Sequence, residues 1–499
     1  MPEVWLADER RGLHCDAGSN LYGLLSAEGL IDAPCGGAGT CGKCGVDVDG
    51  ETVLSCLYTV DHDMEVKTGP SAAMDEIVSS GRAVDVSIDA APASALGVCV
   101  DVGTTTVVAT LVSLHTGAEL ASLGKLNSQK AHGQDVITRI NFTIDDPQGL
   151  PILNNLIVAD IDGLIEELCR AAHTTCNHID SIVVCGNTTM VHLLVGADPK
   201  GIAQAPFKPL IAGPIRARGS ELGLTNTPAA TVFCLPPVAA FVGGDITSGM
   251  LACDLPHAKE RVLFMDIGTN GEIVLADGDK MACCSCAAGP ALEGMNVSCG
   301  MRATAGAIEN VRIERGEVVC DVIGHRQPRG VCGSGIVSAM ATLVSHGIVG
   351  RTGRLQRTSP FVDEIDGKLV VRLCHNPDIH LTQGDVRHIQ LAKGAILSGV
   401  TALLHHCEMV PEEMERVIVA GQFGAHIQPD DLVDAGFVPR CLSGRIEYAG
   451  NTSLAGGRLC LLSASARSQS LRIARGADYV ELSTLPGYED LFMKCLSFS

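Results

Sequence analysis

Aromatic residues are scarce in this chain. Phe, Trp and Tyr make up 3% of the 499 residues, with a single tryptophan, while apolar residues as a whole reach 46%. Its cores are therefore expected to be built from Val, Ile, Leu and Ala rather than stacked rings. Positive charge is also in short supply: 36 Lys and Arg stand against 57 Asp and Glu, a formal charge of −21. That balance argues against nucleic acid or an anionic membrane as partner. No apolar run is long enough to span a bilayer. The N-terminal stretch MPEVWLADERRG lacks the basic-then-apolar pattern of an export signal. A cytoplasmic protein of two to four domains is the expectation.

Cysteine, by contrast, is abundant, with 22 in the chain. Disulfide scaffolds are short and exported, so reduced thiols fit better. Most of them, Cys99, Cys185, Cys253 and Cys460 among them, lie in apolar runs and read as small core residues. Cys283, Cys284 and Cys286 have the side chain for a metal site, but C-C-x-C lacks a partner pair, so packing is the stronger reading. Four others are different. Cys35, Cys41, Cys44 and Cys56 are spaced C-x₅-C-x₂-C-x₁₁-C. Four thiolates can hold a [2Fe–2S] cluster, and the glycines between them let N–H groups approach the cluster sulfurs. A zinc ribbon would need two C-x₂-C knuckles, and only Cys41 and Cys44 make one.

The chain is organised around a repeat. Val98 to Leu111, VCVDVGTTTVVATL, is echoed by Leu263 to Leu275, LFMDIGTNGEIVL. Each is an apolar strand running into Asp, then Gly-Thr, then a second apolar strand, the pattern of a β-hairpin. Asp101, Gly103 and Thr104 correspond to Asp266, Gly268 and Thr269. Thr hydroxyls and turn N–H groups suit phosphate oxygens, and an Asp at a strand end suits hydrated Mg²⁺. A duplicated motif implies two similar lobes facing one nucleotide. The repeat resembles the phosphate hairpins of the superfamily of acetate and sugar kinases, heat-shock chaperones and actin. That resemblance implies Mg²⁺ and ATP as ligands. Asp101 and Asp266 would face the cation, with Gly103, Thr104, Thr105, Thr106, Gly268, Thr269, Asn270 and Gly271 at the phosphates. In VIVAGQFGAHI, Gly421, Gln422, Phe423 and Gly424 resemble the adenosine turn.

Between and after the hairpins, several stretches read as helices: GQDVITRINF, Asp145 to Ala172, the run after SIVVCGNTT, Pro236 to Leu251, Gly330 to Val344, QGDVRHIQLAKGAILSGVTALL and Gly450 to Ala464. Asp135 and Arg139, at i and i+4, read as a surface ion pair. Asn187 and Thr188 read as N-caps. GVCGSG, which opens the Gly330 to Val344 helix, suits either an anion or a tight unliganded turn. Thr68 to about Leu96, rich in Gly, Pro, Ser and Ala, reads as a linker with one strand, AVDVSI.

PCGGAGTCGKCGV and the following LSC resemble the ferredoxin-fold [2Fe–2S] domain. This domain, a linker and the two-hairpin ATPase together resemble the ATP-dependent reductive activators of corrinoid proteins. GQDVITRI, CGNTTMVHLLVG, CGSGIVSAM, DVRHIQLAKGAI and AGQFGAHI carry the likeness further, over nearly the whole chain. The implied fold is α/β and α+β multidomain: a ferredoxin-like β-grasp domain at 1–70, a linker at 71–96, and a two-lobed actin-like ATPase with lobes at 97–260 and 261–499. The linker leaves little room for the separate middle domain of longer members. The implied activity is ATP-driven one-electron reduction of an inactive Co(II) corrinoid protein to Co(I). The implied partner is the corrinoid protein of a methyltransferase system, and a homodimer through the ATPase domain is compatible with the fold. A redox ATPase serving another low-potential metalloenzyme is the alternative. One departure stands out. Chaperones of the superfamily carry a Glu before the Pro-x-Ala-Ala start of the first connecting helix, whereas this chain has Pro236. Asp245 is the nearest carboxylate: either it substitutes as the catalytic base, or hydrolysis is slow without a partner.

Overall fold

The computed structural model describes residues 2–7, 11–28, 30–31, 44–67, 87–376, 378–421 and 427–498. They fall into two compact units, Met1–Asp75 with Gln129–Arg139, and Glu76–Ser128 with Ile140–Ser499. Most of the strand expected at AVDVSI lies outside the described residues.

In the first unit a five-stranded sheet runs in the order Arg11–His14, Glu3–Leu6, Met64–Lys67, Gly45–Val48, Glu51–Leu54. Glu3–Leu6 pairs parallel to Met64–Lys67 and antiparallel to Arg11–His14. Strand alternation sends Val4, Leu6, Val46, Val48, Met64 and Val66 to one face, where Leu21 and Leu25 of the helix Leu21–Ala27 join them in a core. Asn20 caps that helix by accepting from the Gly23 N–H. The lone tryptophan, Trp5, points away from the core and is 43% exposed.

The second unit contains two six-stranded sheets with the same plan. The first runs Glu119–Leu126, Thr106–Ser113, Leu96–Val102, Ile179–Gly186, Thr231–Cys234, Ile215–Arg218. The second runs Lys280–Cys286, Gly271–Asp277, Val262–Ile267, Arg416–Ala420, Ile446–Tyr448, with Asp478–Tyr479 on the outer side of Lys280–Cys286. In each, an antiparallel meander of three strands is followed by two parallel ones. The repeat seen in the two hairpins is thus a repeat of whole sheets. The helix Gly149–Ala171 packs on the first sheet and Gln383–His406 on the second.

A third core lies between the sheets. Cys99, Val108, Val183 and Cys185 of one sheet and Phe264, Val274 and Ile418 of the other bury the helices Gly244–Ala252 and Thr452–Leu462. The two helices approach closely through small residues. A Cβ on Gly456 would overlap the Ser248 carbonyl oxygen, and one on Gly457 would sit 2.5 Å from Cys99 Sγ. Among the described residues no helix is long and apolar enough to cross a membrane.

Three local expectations change. The helix expected from Pro236 starts only at Gly244, because Val238 and Ala239 donate their N–H groups to the Val242 carbonyl and close a tight turn first. Arg139 is not on the surface. It is fully buried, donating to the Gly133 carbonyl and Gln129 Oε1, while Asp135 accepts from the Thr138 N–H. Burial lowers the Arg139 pKa to about 10. Thr188 does not cap its helix. Asn187 does, accepting from the Met190 N–H, and Thr188 Oγ1 donates to the Ala239 carbonyl.

Candidate active site

Asp101 lies one residue before the end of its strand, where the chain turns through Gly103. The Gly103 N–H donates to the Thr106 carbonyl at 2.9 Å, and a Cβ on Gly103 would stand 2.8 Å from that same oxygen, so the turn admits no larger residue without moving. Asn127 braces the turn: its Nδ2 donates to the Gly103 carbonyl and its N–H to the Thr105 carbonyl. Asn187, already a helix cap, donates its Nδ2 to Thr104 Oγ1 at 3.0 Å. Asp101 itself receives Asn451 Nδ2 at 3.0 Å and Ser453 Oγ at 2.8 Å. Burial raises its pKa, and these two hydrogen bonds pull it back down.

The second turn is shorter by one residue, and this changes its chemistry. Asp101 pairs across its hairpin with Val108, but Asp266 pairs with Glu272. Like charges directly opposite on an antiparallel pair repel. Asp245 adds to them from the first turn of its helix. Burial, then the charges of Asp101 and Asp266, raise the Asp245 pKa to about 7. Burial, then Asp101, does the same to Asp266. Glu272 is pushed well above its ordinary value by burial, Asp245 and Asp266, with Ser285 Oγ donating to it at 3.1 Å. Four half-buried acids therefore share one place, held there by three separate parts of the chain. Such a set has two stable states, partly protonated or bound to a cation. The oxygens of the four acids are of the kind a hydrated Mg²⁺ takes, although as placed they do not close around an ion.

Thr269 Oγ1 and Thr105 Oγ1 both reach Glu293, so the two turns face each other across one side chain. Gly271 is buried against Cys286 and Ile396. Gly421 has φ +112°, and a Cβ there would overlap the Ile267 carbonyl and lie 3.2 Å from Asp266 Oδ1. Only glycine lets this strand end lie against the second turn. Tyr448 donates to the Gly421 carbonyl at 2.5 Å. Gln422, Phe423 and Gly424 lie outside the described residues. Glu272, Glu293, Asn451, Ser453 and Tyr448 were not singled out from the sequence. Of these, Glu272 had a local signal, since it sits in the repeat where the first copy has no acid.

In the first unit, Cys44 Sγ and Cys56 Sγ lie 3.0 Å apart and both are buried. The ladder between Gly45–Val48 and Glu51–Leu54 brings them together, one just before it and one in the turn after it. The Ser55 N–H and Oγ both donate to the Cys44 carbonyl, and Asn20 Nδ2 donates to that of Cys56. Cys35 and Cys41 lie outside the described residues. Cys283, Cys284 and Cys286 are core thiols: alternation sends Cys284 and Cys286 to one face of their sheet and Cys283 to the other, and burial raises all three pKa values. Among the described residues, these cysteines and the four acids included, no group of three or more His, Cys, Asp or Glu is placed to hold a metal ion.

Two matching sheets, each turning at Asp-x-Gly-Thr over a shared acidic site with a helix pair between them, define the two-lobed ATPase class of sugar kinases, heat-shock chaperones and actin. Two family models cover this region: the RACo middle region matches residues 96–258, and the C-terminal ASKHA domain of RACo matches residues 260–499. The chain belongs to the RACo family of reductive activators of corrinoid proteins. It is 34% identical over 433 residues to the corrinoid activation enzyme RamQ of Eubacterium limosum, covering 84% of this chain and 73% of that one. It is 25% identical over 446 residues to the [Co(II) methylated amine-specific corrinoid protein] reductase of Methanosarcina barkeri, covering 81% and 77%. A solved structure of a reductive activator for corrinoid, iron–sulfur protein superposes with a TM-score of 0.74 at 29% identity, covering 100% of this chain and 98% of that one.

Proposed function

We propose that this protein reactivates a corrinoid protein of a methyltransferase system by ATP-dependent one-electron reduction of Co(II) to Co(I). The observation that carries this reading is the facing of the two Asp-x-Gly-Thr turns, whose Thr105 and Thr269 both reach Glu293, with Asp101, Asp245, Asp266 and Glu272 close enough to raise one another's pKa, in a chain of this family. Asp101 and Asp266 would hold Mg²⁺, directly or through water. Thr104, Thr105, Thr269 and Asn270 would receive phosphates, and Gly421 to Gly424 would lie beside adenosine. Asp245, with its pKa raised to about 7, is suited to take a proton from an attacking water near neutral pH.

Cys44 and Cys56 are already as close as two ligands of one iron need to be, and with Cys35 and Cys41 they make a [2Fe–2S] donor set. The cluster, when bound, supplies one electron at a potential near about −400 mV. Residues 1–70 would form the cluster domain, 71–96 a tether, and 97–260 and 261–499 the two lobes. A reducing cytoplasm would keep the thiols of this chain from forming disulfides. ATP can favour the transfer only by binding two states of the complex with different affinity.

The test mixes the reduced protein, Mg·ATP and a Co(II) corrinoid protein and follows the corrinoid absorbance. Conversion to the Co(I) spectrum only when ATP is present is expected. Absence of Co(I) with ATP, or equal conversion without it, overturns the reading.

A further inference from the structure

The Glu293 side chain touches both repeats. It ends the short 3₁₀ turn Pro290–Glu293, which Gly289 and Gly294 bracket at φ +74° and +76°. Thr105 Oγ1 donates to Glu293 Oε2 at 3.2 Å, and Thr269 Oγ1 donates to Oε1 at 2.5 Å. Each carboxylate oxygen thus takes a hydroxyl from a different lobe. A Cβ on Gly268 would also lie 3.8 Å from Oε1, so the carboxylate sits directly over the second turn.

A carboxylate and a phosphate are alike here: both are anions that bind by accepting hydrogen bonds from such donors. One hydroxyl proton cannot serve both, and two anions at hydrogen-bond range in a partly desolvated site repel strongly. We propose that Glu293 sets the nucleotide affinity of the site. Its carboxylate holds the Thr105 and Thr269 hydroxyls while phosphates are absent, and it must withdraw for the phosphate chain to take them. This rests on the placement of ATP given above. Two features provide for the withdrawal. Both bracketing glycines hold positive φ without strain, and Gly289 has no neighbour within 4 Å of a Cβ, so the turn can swing at Gly289 about Gly294, which lies against the Met301 backbone. The turn packs against the helices Gly333–Ser345 and Gln383–His406, so its movement reaches the body of the second lobe. In this arrangement the protein exchanges an internal anion for an external one, and the exchange breaks one tie between lobes as it makes another.

Affinities for Mg·ATP and for adenosine in wild type and in Glu293→Gln, Glu293→Ala and the pair Thr105→Val with Thr269→Val test this. Loss of the competing charge should tighten Mg·ATP binding about tenfold or more in both Glu293 variants, with adenosine affinity unchanged, since adenosine carries no phosphate. The paired Thr variant should weaken Mg·ATP binding at least tenfold. If the paired variant leaves Mg·ATP affinity unchanged, the phosphates are not at these hydroxyls and the site placement itself fails. If the paired variant weakens binding but Glu293→Gln binds Mg·ATP no better or worse than wild type, the placement stands and the competition is wrong. An equal rise in adenosine affinity would overturn the explanation by charge.

Discussion

At the scale of single residues, the acid cluster makes the sharpest claims. Asp245 and Asp266 have pKa values raised from 3.8 to about 7. A carboxyl whose folded-state pKa lies above its unfolded value favours folding while protonated. That contribution is full below about pH 4 and is lost as pH climbs through about 7. The unliganded protein should therefore lose stability between about pH 4 and 7, by on the order of 5 kcal/mol from this site, and Mg·ATP should flatten the slope. Thermal melting against pH, with and without Mg·ATP, measures both. Asp266→Asn should raise the melting temperature of the unliganded chain at pH 8 while abolishing ATP hydrolysis, with the cluster still reducible; an unchanged hydrolysis rate would remove Asp266 from the site. Asp245→Ala with full hydrolysis would remove Asp245 as the base. In the first unit, Cys44→Ser should eliminate the visible absorbance of the bound cluster, which an absorbance spectrum and iron analysis decide.

At the scale of elements, what could be read from the sequence depended on distance along the chain. The two hairpins were legible because Asp, Gly, Thr and the flanking strands all fall within about a dozen residues. The long helix Gln383–His406 was legible because its apolar period runs for many turns. Glu293 was not: it reaches Thr105 from 188 residues away, and nothing in AAGPALEGMN distinguishes it from a surface glutamate. Asn451 and Ser453 reach Asp101 from 350 and 352 residues away. The start of Gly244–Ala252 was misplaced because a tight turn and a helix use the same small residues and prolines. The close contact of this helix with Thr452–Leu462 leads to a further test. Gly456→Ala would drive a methyl into the Ser248 carbonyl and should cost about 1–3 kcal/mol, with a loss of ATPase activity because Asn451 and Ser453 sit at the start of the same helix. Chemical denaturation and ATPase rates measure the two effects. Lys393 marks another tie. Its buried Nζ donates to the Cys495 carbonyl at 2.7 Å and the Ser497 carbonyl at 2.5 Å, and lies 5.1 Å from the centre of the Phe498 ring. Lys393→Met should leave both carbonyls without this donor and destabilise the second unit by about 1–3 kcal/mol, seen as a lower melting temperature.

At the scale of the whole molecule, the charge of −21 bears on how a partner is met. ATP hydrolysis should be slow in the isolated protein and rise with the Co(II) corrinoid protein, but not with its methylated or Co(I) forms. The rise should shrink as salt is added, if a basic face on the partner is steered by this acidic surface. Rates equal for all cobalt states would refute the coupling. The scarcity of aromatic residues has a consequence of its own. Trp5 is the only indole in 499 residues, and it stands on the exposed side of a strand in the first unit, while the second unit has none. Indole fluorescence is therefore a built-in reporter of the first unit alone, silent for the second, whereas far-ultraviolet circular dichroism is dominated by the larger unit. Recorded together through one denaturant series, the two signals resolve whether the units melt in one step or in two, with no label or truncation.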